Sequence, residues 1–191
     1  MKENMQRSLI GLALAAILLL TVSSLAQTSN PSTQEGRAVS SPKQLMSREE
    51  MYAMLDSVTQ LGNKLKQAIK SSEPKWRLTQ NELIDVGFFQ TWKRKGQKVE
   101  LSISESKSLK EASKNFDSSL ISSWTTAERI KGIGDEAGFL HFSDSLRPDE
   151  YRLSVRKGKV VFTIRAPTLD IAKRFAGYAL TIDDPAMKAE N

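Results

Sequence analysis

Two stretches restrict the fold of this chain more than anything else in it: "RKGQKVELSI" at 94–103 and "RKGKVVFTI" at 156–164. Before the first Lys95-Gly96 pair, Ile84, Val86, Phe88 and Trp92 alternate with polar residues; after it, Val99, Leu101 and Ile103 do the same. Before Lys157-Gly158 the alternating residues are Tyr151, Leu153 and Val155, and after it Val160, Phe162 and Ile164. A period of two marks strands with one buried face, and a glycine pair between two such runs reverses the chain. Two hairpins commit the chain to an antiparallel sheet.

Helical patterns separate these runs. Ser47 and Glu50 form a capping box ahead of Met51, Leu55, Val58, Leu61, Leu65 and Ile69, a single helical face that should end before Pro74. Ser108 with Glu111 opens a second helix that turns Leu109, Ala112, Phe116 and Leu120 inward. Thr168 caps a third, striped by Leu169, Ala172, Phe175, Ala176 and Ala179. The expected class is α+β, in the order α-β-β-α-β-β-β-α: an antiparallel sheet of about five strands with its helices on one face. Each hairpin precedes a helix start, "SLKEA" or "TLDIA", at an offset of about 60 residues. A duplicated ββα unit is one reading of that likeness, and chance similarity of Lys-Gly turns is the other.

The ends of the chain read differently. Lys2 and Arg7 precede an apolar run from Leu9 to Val22, and Ser24-Leu25-Ala26 supplies small residues for a signal peptidase. Residues 1–26 are thus predicted to be a cleaved secretory leader, which leaves no stable membrane span after processing. The run of 14 residues is short for a bilayer crossing. An uncleaved anchor is the other reading. Residues 27–46, rich in Ser, Thr, Gln and Pro, predict a flexible linker; 47–182 predict one domain, and 183–191 a disordered tail. The absence of cysteine excludes disulfides, an acylated lipoprotein terminus, thiolate metal sites and cysteine nucleophiles. Loss of Lys2, Arg7 and Glu3 with the leader leaves 26 basic and 21 acidic residues, a net charge of +5. That balance permits an anionic envelope component or another envelope protein as partner and specifies no nucleic acid.

"GIGDEAGFL" at 132–140 invites a catalytic reading that its spacing does not support. Gly132, Gly134 and Gly138 are spaced G-x-G-x-x-x-G and lead into "FLHFS", a strand rather than a helix, so no dinucleotide fingerprint is formed; no P-loop is present either. Asp135 and Glu136 are adjacent, and in extended chain their side chains would diverge. His141 is the one histidine, with no G-x-S-x-G elbow to serve. Neither a metal nor a cofactor is predicted, and Gly132, Gly134 and Asp135 are read as a structural turn.

"GIGDEAGF", then "LSVRKGKVVFTI" and "LDIAKRFAGYAL", resembles uncharacterised exported bacterial proteins with a Gly-x-Gly-Asp-Glu-Ala turn and PsbP-like α+β domains, across about 130–180. The resemblance implies a non-enzymatic binding or accessory module of the cell envelope. The alternative is an envelope glycan hydrolase using acids such as Asp135, Glu136 or Asp149, which requires two carboxyls facing across a cleft. If a ligand binds, alternation puts Arg152, Arg156 and Arg165 on the outer face of the second hairpin, with Lys157 and Lys159 at its turn. Lys93, Arg94, Lys95 and Lys98 gather at the first turn. Hairpins lying side by side would merge these into one basic patch; a merely solubilising surface is the other reading.

Overall fold

The computed structural model describes residues 46–84, 87–145 and 147–188. The chain divides into a unit 1–43, which lies outside the described residues together with the predicted leader and most of the linker, and a unit 44–191. In the second unit, α1 (Arg48–Ser72) opens on the Ser47/Glu50 capping box. Then come β1 (Arg77–Ile84), β2 (Gly87–Arg94), β3 (Gln97–Glu105) and α2 (Leu109–Ser119). They are followed by β4 (Glu128–Ile130), β5 (Glu136–Asp144), β6 (Arg147–Lys157), β7 (Val160–Ala166) and α3 (Leu169–Leu180). The strands form one antiparallel sheet in the order β1-β2-β3-β7-β6-β5-β4.

Seven strands replace the expected five. β1 was hidden because "RLTQNELI" is an edge strand, exposed along nearly its whole length, and has no period-two apolar face to read. Ile84 ends this strand in solvent instead of sharing a face with Phe88. β4 spans only three residues, too few to show a pattern.

The core lies between one sheet face and the helices α1 and α3. Trp92, Val99, Leu101, Ile103, Leu153, Val155, Phe162 and Ile164 point into it, against Leu61, Leu65, Ile69 and Phe175. Trp76 and Trp92 meet the Phe175 ring edge-on at centroid distances of 5.2 and 6.4 Å. Gly62 lets α1 approach β2 closely: a Cβ there would lie under 3.0 Å from three carbons of the Phe88 ring.

The expectation that all helices share one face is corrected by α2. Phe116 and Leu120 pack on the opposite face, against Val161. Val160, Val161 and Phe162 are buried in succession, so β7 is apolar on both sides at that point and needs cover on both. Gly138 on β5 sits under Leu120, whose methyl carbon leaves no room for a Cβ.

The two hairpins do lie side by side, joined by β3 and β7, but antiparallel: Glu100 pairs with Arg165 and Glu105 with Val160. Their turns therefore point to opposite ends of the sheet. The seam is also symmetric in register. Ser102 faces Thr163, flanked by Leu101 facing Ile164 and Ile103 facing Phe162. The following helices do not share that symmetry, since α2 and α3 cover different faces.

The segment read as a frayed tail from residue 183 is instead packed as far as Lys188. Asp184 caps a short 3-10 turn, Pro185–Met187, and pairs with Lys64 at 2.9 Å. Met187 is buried in the main core, and the Lys159 amide donates to the Ala186 carbonyl at 2.8 Å. A single buried methionine after a helix-breaking proline gives no periodic signal, which is why the sequence pattern did not reveal it.

Candidate functional site

Charge is distributed unequally between the two hairpin ends. At the β2–β3 turn, Lys95 has φ of 43° and Gly96 of 78°, the pair of positive values that a two-residue type I′ hairpin requires. Lys95 is the one non-glycine residue with positive φ among the described residues. Beside this turn and the Pro74–Arg77 loop, a cleft of about 760 Å³ opens; its charged lining is Lys75, Arg77, Lys93, Arg94, Lys95 and Lys98, with no acidic residue. The backbone register aligns three of them directly: Arg77 faces Lys93 across β1 and β2, and Lys93 faces Lys98 across β2 and β3. Like charges directly opposite on neighbouring strands repel.

Two of the six are engaged. Arg94 stacks over Trp76 at 4.7 Å, bonds Gln97 at 3.1 Å and lies 3.8 Å from Glu73. Lys98 is paired with Glu100 at 2.9 Å. Among the described residues, Lys75, Arg77, Lys93 and Lys95 have no carboxylate within 4.0 Å. Lys75 and Arg77 escaped the sequence reading because their strand did; the "KWR" at 75–77 was the available signal.

The β6–β7 end is built the other way, with its cations neutralised. Asp135 accepts from the Gly158 amide at 2.8 Å, from Lys157 at 2.9 Å and from Arg156 at 3.3 Å. Glu136 accepts from Arg156 and from Ser113 of α2. Adjacent carboxylates were expected to diverge, yet both reach Arg156. Asp135 lies in the bend before β5, not in extended chain, and Gly134 at φ 62° makes that bend. A Cβ on Gly134 would lie 2.5 Å from the Arg156 carbonyl, which instead accepts the Asp135 amide at 2.9 Å. Burial raises the Asp135 pKa, but the Gly158 amide, Lys157 and Arg156 outweigh it, and the carboxyl titrates below its usual value.

These placements bring the predicted ligand residues together only in part. Arg156 and Lys157 belong to the Asp135 tether, and Lys159 sits at that same turn beneath the C-terminal segment. Arg152 and Arg165 lie on the face away from the main core, toward the other end, opposite each other on β6 and β7. Arg165 is 4.0 Å from Glu100. Arg152 stacks on Phe142 at 4.9 Å, and its Nε is buried with no hydrogen-bond partner. Burial and the charge of Arg165 hold its pKa below the ordinary arginine value, with Glu150 opposing.

Of the three acids considered for hydrolysis, Asp135 and Glu136 meet on Arg156 and Asp149 stands apart from them. Asp149 is 3.8 Å from His141, whose ring stacks on Tyr151 with centroids 4.2 Å apart. It lies seven residues along β6 from Arg156, about 23 Å at strand rise. No group of three or more metal-ligating side chains occurs among the described residues, and no helix there is long and apolar enough to cross a membrane.

No family model matches the sequence, and no curated protein matches it. Among solved structures, a GTP binding regulator from Thermotoga maritima aligns with 66% of this chain and 90% of its own at 12% identity, with a TM-score of 0.40. At that score the likeness carries no functional argument.

Proposed function

We infer that this chain is an exported, non-enzymatic binding module of the cell envelope, and that it holds an anionic ligand in the cleft at the β2–β3 turn. The leader-like N-terminus supports export. The observation that carries the ligand class is the cleft lining: six cations with no acid, three of them in direct cross-strand register. An anion between Arg77, Lys93 and Lys98 relieves the cross-strand repulsion among them.

Retention of the purified protein on a heparin column across a salt series tests this. The wild type should be retained at low salt and released steeply as salt rises, because the protein's cations displace counterions condensed on the polyanion. Arg77→Ala with Lys93→Ala, both at exposed positions, should advance elution while leaving thermal stability unchanged or slightly improved. Equal elution of variant and wild type would refute the assignment.

A further inference from the structure

The cations of the cleft do not stop at its rim. In sheet order β1, β2, β3, β7 and β6, one face carries Arg77, Lys93, Lys98, Arg165 and Arg152 in turn. Alternation fixes that face: the residues beside them on each inner strand, Trp92, Val99, Ile164 and Leu153, are buried in the core on the other side. At about 4.8 Å per strand, the five cations span about 19 Å across the sheet. Helix α2 covers this face further along, over Val161. Arg165 and Lys98 are about half exposed, at 46% and 53%.

Glu100 is the one acid at the centre of the row, and it organises the cations around it. It holds Lys98 at 2.9 Å and Arg165 at 4.0 Å, joining the cleft to the arginine pair. The desolvated Nε of Arg152 is a donor without an acceptor at the far end. The short hydroxyl side chains Ser102 and Thr163 share this face, and each can bond an oxyanion. Single phosphates are too small to reach from Arg77 to Arg152.

We propose that the ligand is a linear polymer of phosphate-bearing units that runs across the strands from the cleft to Arg152. This rests on the anion-binding reading of the cleft and adds the ligand's form and its second anchor. Binding is read-out of regularly spaced charge, with arginine forks at one end and lysine point charges at the other. No bond in the polymer is made or broken.

The test compares tripolyphosphate with inorganic polyphosphate chains of roughly fifty or more units, titrated against the full chain over a salt series. Both probes should bind, the long chain more tightly per phosphate and with the steeper salt dependence. Arg152→Ala with Arg165→Ala should weaken the long chain at least tenfold. It should also reduce its slope of log affinity against log salt by about 1.4, two contacts at roughly 0.7 each for a single strand. Tripolyphosphate should be unaffected. Arg152→Lys with Arg165→Lys should keep most of the slope. If loss of the Phe142 stack compromises the fold, Arg165→Ala alone carries the test, with a slope change of about 0.7. A long chain that binds no better than tripolyphosphate, or a slope untouched by the arginine changes while Lys93→Ala still weakens binding, overturns the track and leaves the cleft standing. Absence of binding by either probe overturns both.

Discussion

Replacing Gly62 with alanine sets two effects against each other. Helix propensity favours the change by about 1 kcal/mol, because glycine in a helix interior loses more backbone entropy on folding. Packing opposes it. The added carbon would lie under 3.0 Å from three atoms of the Phe88 ring, and Phe88 is itself 4% exposed, on a strand paired on both sides. Overpacking of this kind costs about 1–3 kcal/mol. As the clash pushes α1 back, the helix also loses the bond from Gln90 Nε2 to the Gly62 carbonyl at 2.8 Å, part of a buried chain that includes Trp92 Nε1 donating to Gln90 at 3.1 Å. A buried amide left without that acceptor costs about 1–3 kcal/mol more. The net expectation is a loss of about 1–5 kcal/mol, read as a lower midpoint with unchanged slope in urea denaturation. Phe88→Leu removes the obstruction, so the double variant should be more stable than the two single losses predict when added. Wild-type or greater stability in Gly62→Ala, or strict additivity of the pair, would refute the contact argument.

Asp135→Asn should cost about 1–3 kcal/mol at neutral pH, because the tether to Gly158, Lys157 and Arg156 loses its charge. The folded carboxyl titrates below its unfolded value near 3.9, so its contribution is complete above that value and lost as pH falls through the folded one; the gap to wild type in thermal melts should close below about pH 4. Gly134→Ala combines φ of 62° with a clash at the Arg156 carbonyl and should lower stability by about 2 kcal/mol or more in urea denaturation. Truncation after Ile182 removes buried Met187 and the Lys64–Asp184 pair, and should lower the melting temperature by several degrees. N-terminal sequencing of the exported protein should begin at Gln27, whereas full-length protein in the membrane fraction would support an anchor.

Much of the fold was legible where the periods were clean. Leu61, Leu65 and Ile69 on one helix, and Val99, Leu101 and Ile103 on one strand, each repeat at the spacing of their element and all are buried. Strand β1 was not legible, because an edge strand whose side chains meet water has no buried face to impose alternation. The place of α2 followed from Val161, a single apolar residue among core-facing neighbours, which reads as noise until a partner helix is known. Of the candidate site, Lys95 and Lys98 were visible as a charged turn, while Lys75 and Arg77 depended on β1. The merging of both hairpin tips failed for a topological reason: adjacency of β3 and β7 does not give their direction, and antiparallel pairing separates the turns by the length of the sheet. The Asp135–Arg156 tether joins residues far apart in sequence, and no local pattern announces such a pair.

The register of the β3–β7 seam has a consequence for assembly. When the two hairpins are aligned with Gln97 as a one-residue insertion after the first turn, Leu101 corresponds to Phe162, Ser102 to Thr163 and Ile103 to Ile164, so Ser102–Thr163 maps onto itself and Leu101–Ile164 onto Ile103–Phe162. This is the isologous condition met by two-fold dimers, here realised within one chain. In register, though not in helix cover, each of the two strands therefore matches the edge that its partner presents. A molecule whose seam opens can close it again on the corresponding half of a second molecule, with the same core residues in contact. The β3–α2–β4 connection is the hinge of such an exchange. A domain-swapped dimer is therefore the expected product when the sheet is loosened at high concentration, and size-exclusion of protein refolded at high and at low concentration checks it.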